Sequence, residues 1–253
     1  MRNVLALAGK EMRGYFASPI GYVIMGFFAL LFGVFFYAYL GAFIDQSMQM
    51  GGMGGAVNVN TSMSRPLFGN ASVVLLFVIP MITMRTYSEE KRSGTIELLL
   101  TSPITDVQII LGKFLGAMVL YLAMLAVTMI YVAMLFKFGN PDWRPIMAGY
   151  LGLLLMGASF IAIGLLISNL TKNQIIAGIA TFGVFLLLWI ISWIGEQMGP
   201  RAQAILGYLS VTEHFDDFAK GIIDTKHVVY YLSFITFGLF LTAKSVDSER
   251  WRG

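Results

Sequence analysis

Six ionisable side chains crowd into thirteen positions of this chain: Arg85, Glu89, Glu90, Lys91, Arg92 and Glu97. Elsewhere charge is sparse, since only 12% of the 253 residues are Asp, Glu, Lys or Arg. Three acids offset three bases, so the cluster is close to neutral. A signal that only fixes membrane orientation needs the bases alone. Here Gly94 and Thr95 lead into the apolar residues Ile96, Leu98, Leu99 and Leu100, and Pro103 follows. An apolar ridge with a polar rim is the composition of a protein interface. The chemistry is non-covalent: the docking of a soluble partner. The plainer alternative is a charge cluster that merely enforces topology.

Other reactive residue types are few. Glu213, His214, Asp216 and Asp217 lie together and offer carboxylates and an imidazole to a cation. Their spacing is not diagnostic of a metal site, and a solvated outward face accounts for them better. His227 is the second of two histidines, and there is no cysteine, so histidine-rich sites, thiolate sites and disulfides are excluded. A formal charge of +3, spread along the chain, does not mark a nucleic-acid surface. Gly238 to Ser245 approaches a P-loop but lacks the second glycine and follows no strand. Gly112-Lys113-Phe114 lacks the first glycine and the hydroxyl residue. The chain is therefore not expected to be an enzyme, and no metal or cofactor is expected in it.

The elements that must position the cluster are membrane helices. The chain is 57% hydrophobic with a mean hydropathy of +0.76, beyond the range of soluble domains. A spanning helix needs about 20 apolar residues. Charge-free intervals place six spans, at 20–44, 67–86, 106–136, 145–170, 173–195 and 227–244, in one transmembrane domain over residues 1–253. The last is short, and Lys226 and Lys244 can snorkel at its ends. The fold class expected is all-α integral membrane. Six spans put both termini on one side. With that side inside, eleven of the 17 Lys and Arg are cytoplasmic. The basic N-terminus precedes an apolar run too long for a signal peptide, so it is read as retained.

Before the first span, Leu5, Ala8, Met12, Tyr15 and Phe16 form one helical stripe, with Arg2, Lys10 and Arg13 on another side. This predicts an amphipathic helix over residues 1–18 in the cytoplasmic membrane interface. The alternative is a basic flank that only orients span one. Ser18-Pro19 turns the chain into the membrane. Residues 45–65, with glycines at 51, 52, 54 and 55, form a flexible outward loop. Residues 202–212 are apolar but too short to span, and read as a re-entrant or interfacial helix.

Within the cluster, Gly94 breaks the helix continuing from span two. Thr95 is placed to cap a short new helix, and Pro103 to end it. Thr105 and Gln108 have capping-box spacing for span three. Gly112 with Gly116, and Gly157 with Gly164 and Ser168, let helices approach closely, within the chain or at a dimer seam. Pro80 is either a hinge or a packing accommodation.

These residues resemble the signature of ABC-2 type transporter permeases. The likeness rests on Arg85 at the end of span two, Glu89 or Glu90, Gly94-Thr95, Glu97, Leu98-Leu99, Pro103, then Gly112-Lys113. Ser18-Pro19-Ile20-Gly21-Tyr22, the stretch from Glu89 to Leu100, and Gly221-Ile222-Ile223-Asp224-Thr225 are similar to the permease subunit of gliding-motility ABC transporters. The resemblance implies a permease of a bacterial inner membrane, an exporter by expectation, with a coupling helix between spans two and three. ATP and Mg then belong to a separate ATPase subunit. A second permease, identical or related, completes the assembly, and a periplasmic or membrane accessory subunit fits beside it. Two rivals stand: a subunit that transmits force and moves no substrate, and an ATP-independent channel or carrier. The second would need buried carboxylates or a polar ring along the spans, which the sequence lacks.

Overall fold

A computed structural model describes residues 2–51 and 58–250. Positions 52–57 of the glycine-rich stretch, and Arg252 of the orientation count, lie outside the described residues. Among the described residues there are eleven α-helices and no strand. They are α1 (Arg2–Ala17), α2 (Pro19–Gly51), α3 (Arg65–Thr83), α4 (Ser88–Ser93), α5 (Thr95–Leu100), α6 (Asp106–Phe138), α7 (Trp143–Asn169), α8 (Gln174–Met198), α9 (Pro200–Leu209), α10 (Val211–Ala219) and α11 (Thr225–Arg250). A single π-helical turn, Asn60–Ser64, leads into α3. Six helical stretches are long and apolar enough to cross a membrane: α2, the stretch Asn60–Ser93 that contains α3 and α4, α6, α7, α8 and α11.

Local chemistry sets several boundaries. Thr105 and Gln108 form the capping box at α6, satisfying two otherwise orphaned amides. The Asp142 carboxylate accepts from the Arg144 amide at 3.0 Å to open α7. Asn173 accepts from Ile175 at 2.9 Å to open α8. Gly199, with φ +98°, reverses the chain so that α9 folds back along α8. There Gly195 faces Ala202, Gln203 and Leu206.

The core is built around α7. Its small residues admit a different neighbour at each turn: Gly149 faces Phe68 of α3, Gly152 faces Phe215 and Phe218 of α10, Gly157 faces Tyr121 of α6 and Gly164 faces Thr83 of α3. The small residues of α7 are thus occupied by intramolecular packing. The order of contacts fixes direction. Phe68 with Gly149 and Thr83 with Gly164 make α3 parallel to α7, and Ser159 with Tyr231, Ala162 with Gly238 and Asn169 with Ser245 make α11 parallel too. One end of the bundle therefore holds α1, α4, α5 and the C-terminal turns of α7. The opposite end holds α10 and the N-terminal turns of α3 and α7. Pro80 still accepts from the Met84 amide at 2.8 Å, so the chain leaves α3 after it.

Candidate functional site

The break between α3 and α4 is held from the side by α7. Ser168 Oγ accepts from the backbone amides of Tyr87 at 3.1 Å and Ser88 at 3.3 Å. The same hydroxyl donates to the Met84 carbonyl at 3.0 Å. One side chain thus satisfies three backbone groups that the irregular turn exposes, and such groups do not stay unpaired when buried. Lys91 Nζ donates to the Asn169 carbonyl at the C-terminus of α7, where cations are favoured. Asn169 Nδ2 continues to Ser245 Oγ of α11 at 2.9 Å.

The other side of α4 is held by ions. Lys113 of α6 is fully buried, and its Nζ lies 2.9 Å from Glu11 Oε1 of α1 and 2.8 Å from Glu90 Oε2 of α4. It also donates to the Thr86 carbonyl at 2.8 Å and sits 4.9 Å from the Tyr87 ring centre. Lys10 Nζ reaches Glu90 Oε1 at 2.8 Å. Burial works against the charge on Lys10, but Glu90's hydrogen bond and field prevail and hold its pKa above the ordinary lysine value. Two carboxylates and two ammonium groups thus join three helices.

Helix α1 runs beside the first turns of α6. Asn3 Nδ2 donates to Gln108 Oε1 at 3.3 Å. Leu7 fills the notch at Gly112, and Glu11 and Ala8 that at Gly116. The partners keep one constant offset over three turns, so the helices are parallel. This corrects the expected stripe. Leu5 is 67% exposed, and the buried face is Leu7, Ala8, Glu11 and Tyr15, because the notches on α6 select it. Of the other residues singled out there, Tyr15 donates to the Ile82 carbonyl at 3.0 Å. Burial pushes its phenol up to about 12. Phe16 packs edge-on to Tyr22. Lys10 and Arg13 are exposed.

Glycine forms the knuckle between α4 and α5. Gly94 has φ +74°, ending α4 and opening α5. The left-handed conformation burdens any residue with a Cβ. Thr95 is therefore the first helical residue rather than the cap, and no side chain caps α5. α5 also stops at Leu100, before Pro103, with the Thr101 amide bonded to the Glu97 carbonyl at 3.0 Å. Ile96 and Leu99 turn into the core. Leu98, 73% exposed, faces out with Glu97, Thr95, Arg92 and Glu89. Arg85 is half-buried over the Tyr15 ring at 5.5 Å. The cluster therefore divides: Glu90 and Lys91 anchor it, while Glu89, Arg92, Glu97 and Leu98 form its outward surface.

The family described as ABC-2 family transporter protein matches residues 58–212, more than half of the chain. The chain belongs to the ABC-2 transporter family. The matched region contains the whole α4–α5 knuckle. The chain is also 28% identical over 148 residues to the probable multidrug ABC transporter permease YbhR of Escherichia coli strain K12, and equally to that of strain O157:H7. That similarity covers 57% of this chain and 39% of the length of those relatives.

In this ABC-2 chain the anchoring residues Glu11 and Asn169 carry no mark in the sequence that separates them from ordinary polar residues, and Ser168 is marked only as a small residue in the Gly157–Gly164–Ser168 series. Lys113 was visible only as the residue after Gly112. A lysine seven residues inside an apolar helix was the one available signal. At the opposite end, the stretch 213–217 keeps its carboxylates at least partly exposed but turns its histidine inward. His214 is buried, Asp217 meets His227, and Asp216 pairs with Arg65 at 3.1 Å. This follows from helical periodicity, which turns His214 inward while Glu213 stays exposed.

Proposed function

We propose that this chain is the membrane-spanning subunit of an ATP-driven transporter in a bacterial inner membrane, working as a pair of permeases. A separate ATPase, which holds ATP and Mg, docks on the α4–α5 knuckle. The observation that carries this reading is the knuckle's construction. Its outer surface is exposed and amphipathic, while its base is bonded to α1, α6 and α7, and α7 in turn to α11. A push on Leu98 and Glu97 passes through the Gly94 knuckle to α4, and from α4 to α1, α6 and α7.

Helix length supports placing the knuckle beneath the bilayer. α6 has 33 residues, or about 50 Å at 1.5 Å per residue. The hydrocarbon core is about 30 Å. The surplus of about 20 Å accommodates the first turns of α6, with Lys113 and the adjoining α1, outside the hydrocarbon. The Lys and Arg bias then puts this end, and both termini, in the cytoplasm. No charged residue lies at 119–136, 145–170 or 174–195. With the multidrug description of the relatives, this favours export of apolar or amphipathic cargo. The likeness of residues 18–22, 89–100 and 221–225 to gliding-motility permeases favours a second reading, in which the work drives an envelope machine and no cargo moves.

The test is co-purification with the ATPase, together with ATPase and transport assays in vesicles. Glu97→Arg and Gly94→Trp are expected to insert normally and to lose the ATPase or its coupling to transport. Normal co-purification and transport by both variants would overturn the proposal. Stimulation of ATP hydrolysis by cargo separates export from force transmission.

A further inference from the structure

At the end of the bundle away from the knuckle, two buried imidazoles meet. His214 of α10 and His227 of α11, each 4% exposed, bring their Nδ1 atoms to 2.6 Å. Each Nε2 faces an acceptor: the Tyr208 carbonyl at 2.9 Å for His214, and Asp217 Oδ2 at 2.8 Å for His227. A carbonyl and an ionised carboxylate only accept, so both Nε2 atoms carry hydrogen. That leaves two Nδ1 lone pairs pointed at each other within hydrogen-bond range. A single proton between them converts the repulsion into a hydrogen bond. The two rings then hold three protons and one positive charge, which Asp217 balances.

The surroundings keep the pair closed. His214 stacks on Tyr230 with ring centres 3.8 Å apart. Tyr230 and Tyr231 donate to the carbonyls of Leu209 and Val211 at 2.8 and 2.9 Å. Lys226 and Asp224 flank His227, and Lys220 ties Asp216 to Asp217. Arg65 reaches in from α3 through Asp216. α7 meets α10 with Gly152 against Phe215 and Phe218, without a charge. Tyr208 of α9 stands edge-on to His214.

We propose that the His214–His227 pair is an acid-sensitive latch: one shared proton fastens α10 to α11, and a second forces the rings apart, loosening α9 and α10. Burial, with the nearby charge of His227 adding to it, holds His214 below the usual imidazole pKa despite the Tyr208 carbonyl. The second proton is therefore the disfavoured one. In the unfolded chain both histidines protonate below about pH 6.5. The folded pair takes the first proton more readily than the unfolded chain and resists the second, so the latch is strongest near that pH: its stabilisation is lost as the pH falls through the second step, and also as the pH rises through the first, where the shared proton leaves. This inference does not depend on the docking of an ATPase.

The experiment uses the full chain in lipid nanodiscs. Thermal unfolding is followed from pH 8 to pH 5 for the wild type and for His214→Phe, which can still stack on Tyr230. Nitrogen NMR of labelled histidine is recorded on the wild type. The expected result is a steeper fall in Tm on the acid side for the wild type, corresponding to about one extra proton taken up on unfolding. At pH 7 the spectrum is expected to show three N–H groups over two rings. Equal slopes, or two histidines titrating independently, would overturn the proposal. So would a wild-type curve that shifts after chelator washing, since a metal would then bridge the Nδ1 atoms. If His214→Phe does not fold, the wild-type spectrum alone decides.

Discussion

Lys113 holds Glu90 at 2.8 Å with none of its own side chain exposed. An ammonium group so placed is tolerated because Glu11, Glu90 and the Thr86 carbonyl replace its water. The pair fastens α4 to α6, and so ties the base of the exposed α4–α5 knuckle to a spanning helix.

Removing the lysine leaves two carboxylates buried without their main partner. Lys113→Met is expected to lower stability by about 3–5 kcal/mol, the range for breaking a buried pair. Thermal unfolding in nanodiscs measures it. Adding Glu11→Gln and Glu90→Gln to the same variant is expected to recover much of the loss. Lys10→Ala, at a side chain that is 61% exposed, is expected to change stability by about 1 kcal/mol or less.

Ser168→Ala strands the amides of Tyr87 and Ser88, which the hydroxyl now accepts from. The expected loss is about 1–3 kcal/mol. Hydrogen exchange gives the sharper reading: the amides of Tyr87 and Ser88 should lose protection while those of α7 keep theirs.

A Cβ at Gly116 would sit 2.5 Å from Glu11 Cβ. Gly116→Val is therefore expected to push α1 off α6. The chain has no cysteine, so a pair introduced by Asn3→Cys and Gln108→Cys reports the contact cleanly. Cross-linking should be efficient in the otherwise native chain and fall several-fold with Gly116→Val.

Leu98 and Gly94 separate docking from folding. Leu98→Ala removes an exposed side chain, and stability is expected to stay within about 0.5 kcal/mol, while ATPase co-purification drops. Gly94→Ala places a Cβ at φ +74°, expected to cost about 1–2 kcal/mol. Comparing unfolding with co-purification for the two variants distinguishes a damaged surface from a damaged hinge.

Much of this organisation is legible along the chain because it is local. The capping box at Thr105 and Gln108, the break at Gly94 and the six apolar stretches each depend on residues within a few turns. The buried face of α1 was not legible. Its apolar periodicity allowed a stripe beginning at Leu5, but the Gly112 and Gly116 notches chose Leu7, Ala8, Glu11 and Tyr15. The cluster's balance of charge is legible in its composition, but which charges face inward is not.

The sequence by itself determined the six long helices, their order and where the charge gathers, since propensity, capping and hydropathy act over short distances; α10 and the extension of α2 to Gly51 were not legible in it. Only the tertiary structure decided that Glu90 turns in to Lys113 while Glu97 turns out, that Ser168 mends the turn after α3, and that His214 meets His227. Helical periodicity fixes which residues share a face. What that face meets depends on elements about 80 to 100 positions away, for Lys10 with Glu90 and Lys113 with Glu11, and no local rule reaches that far.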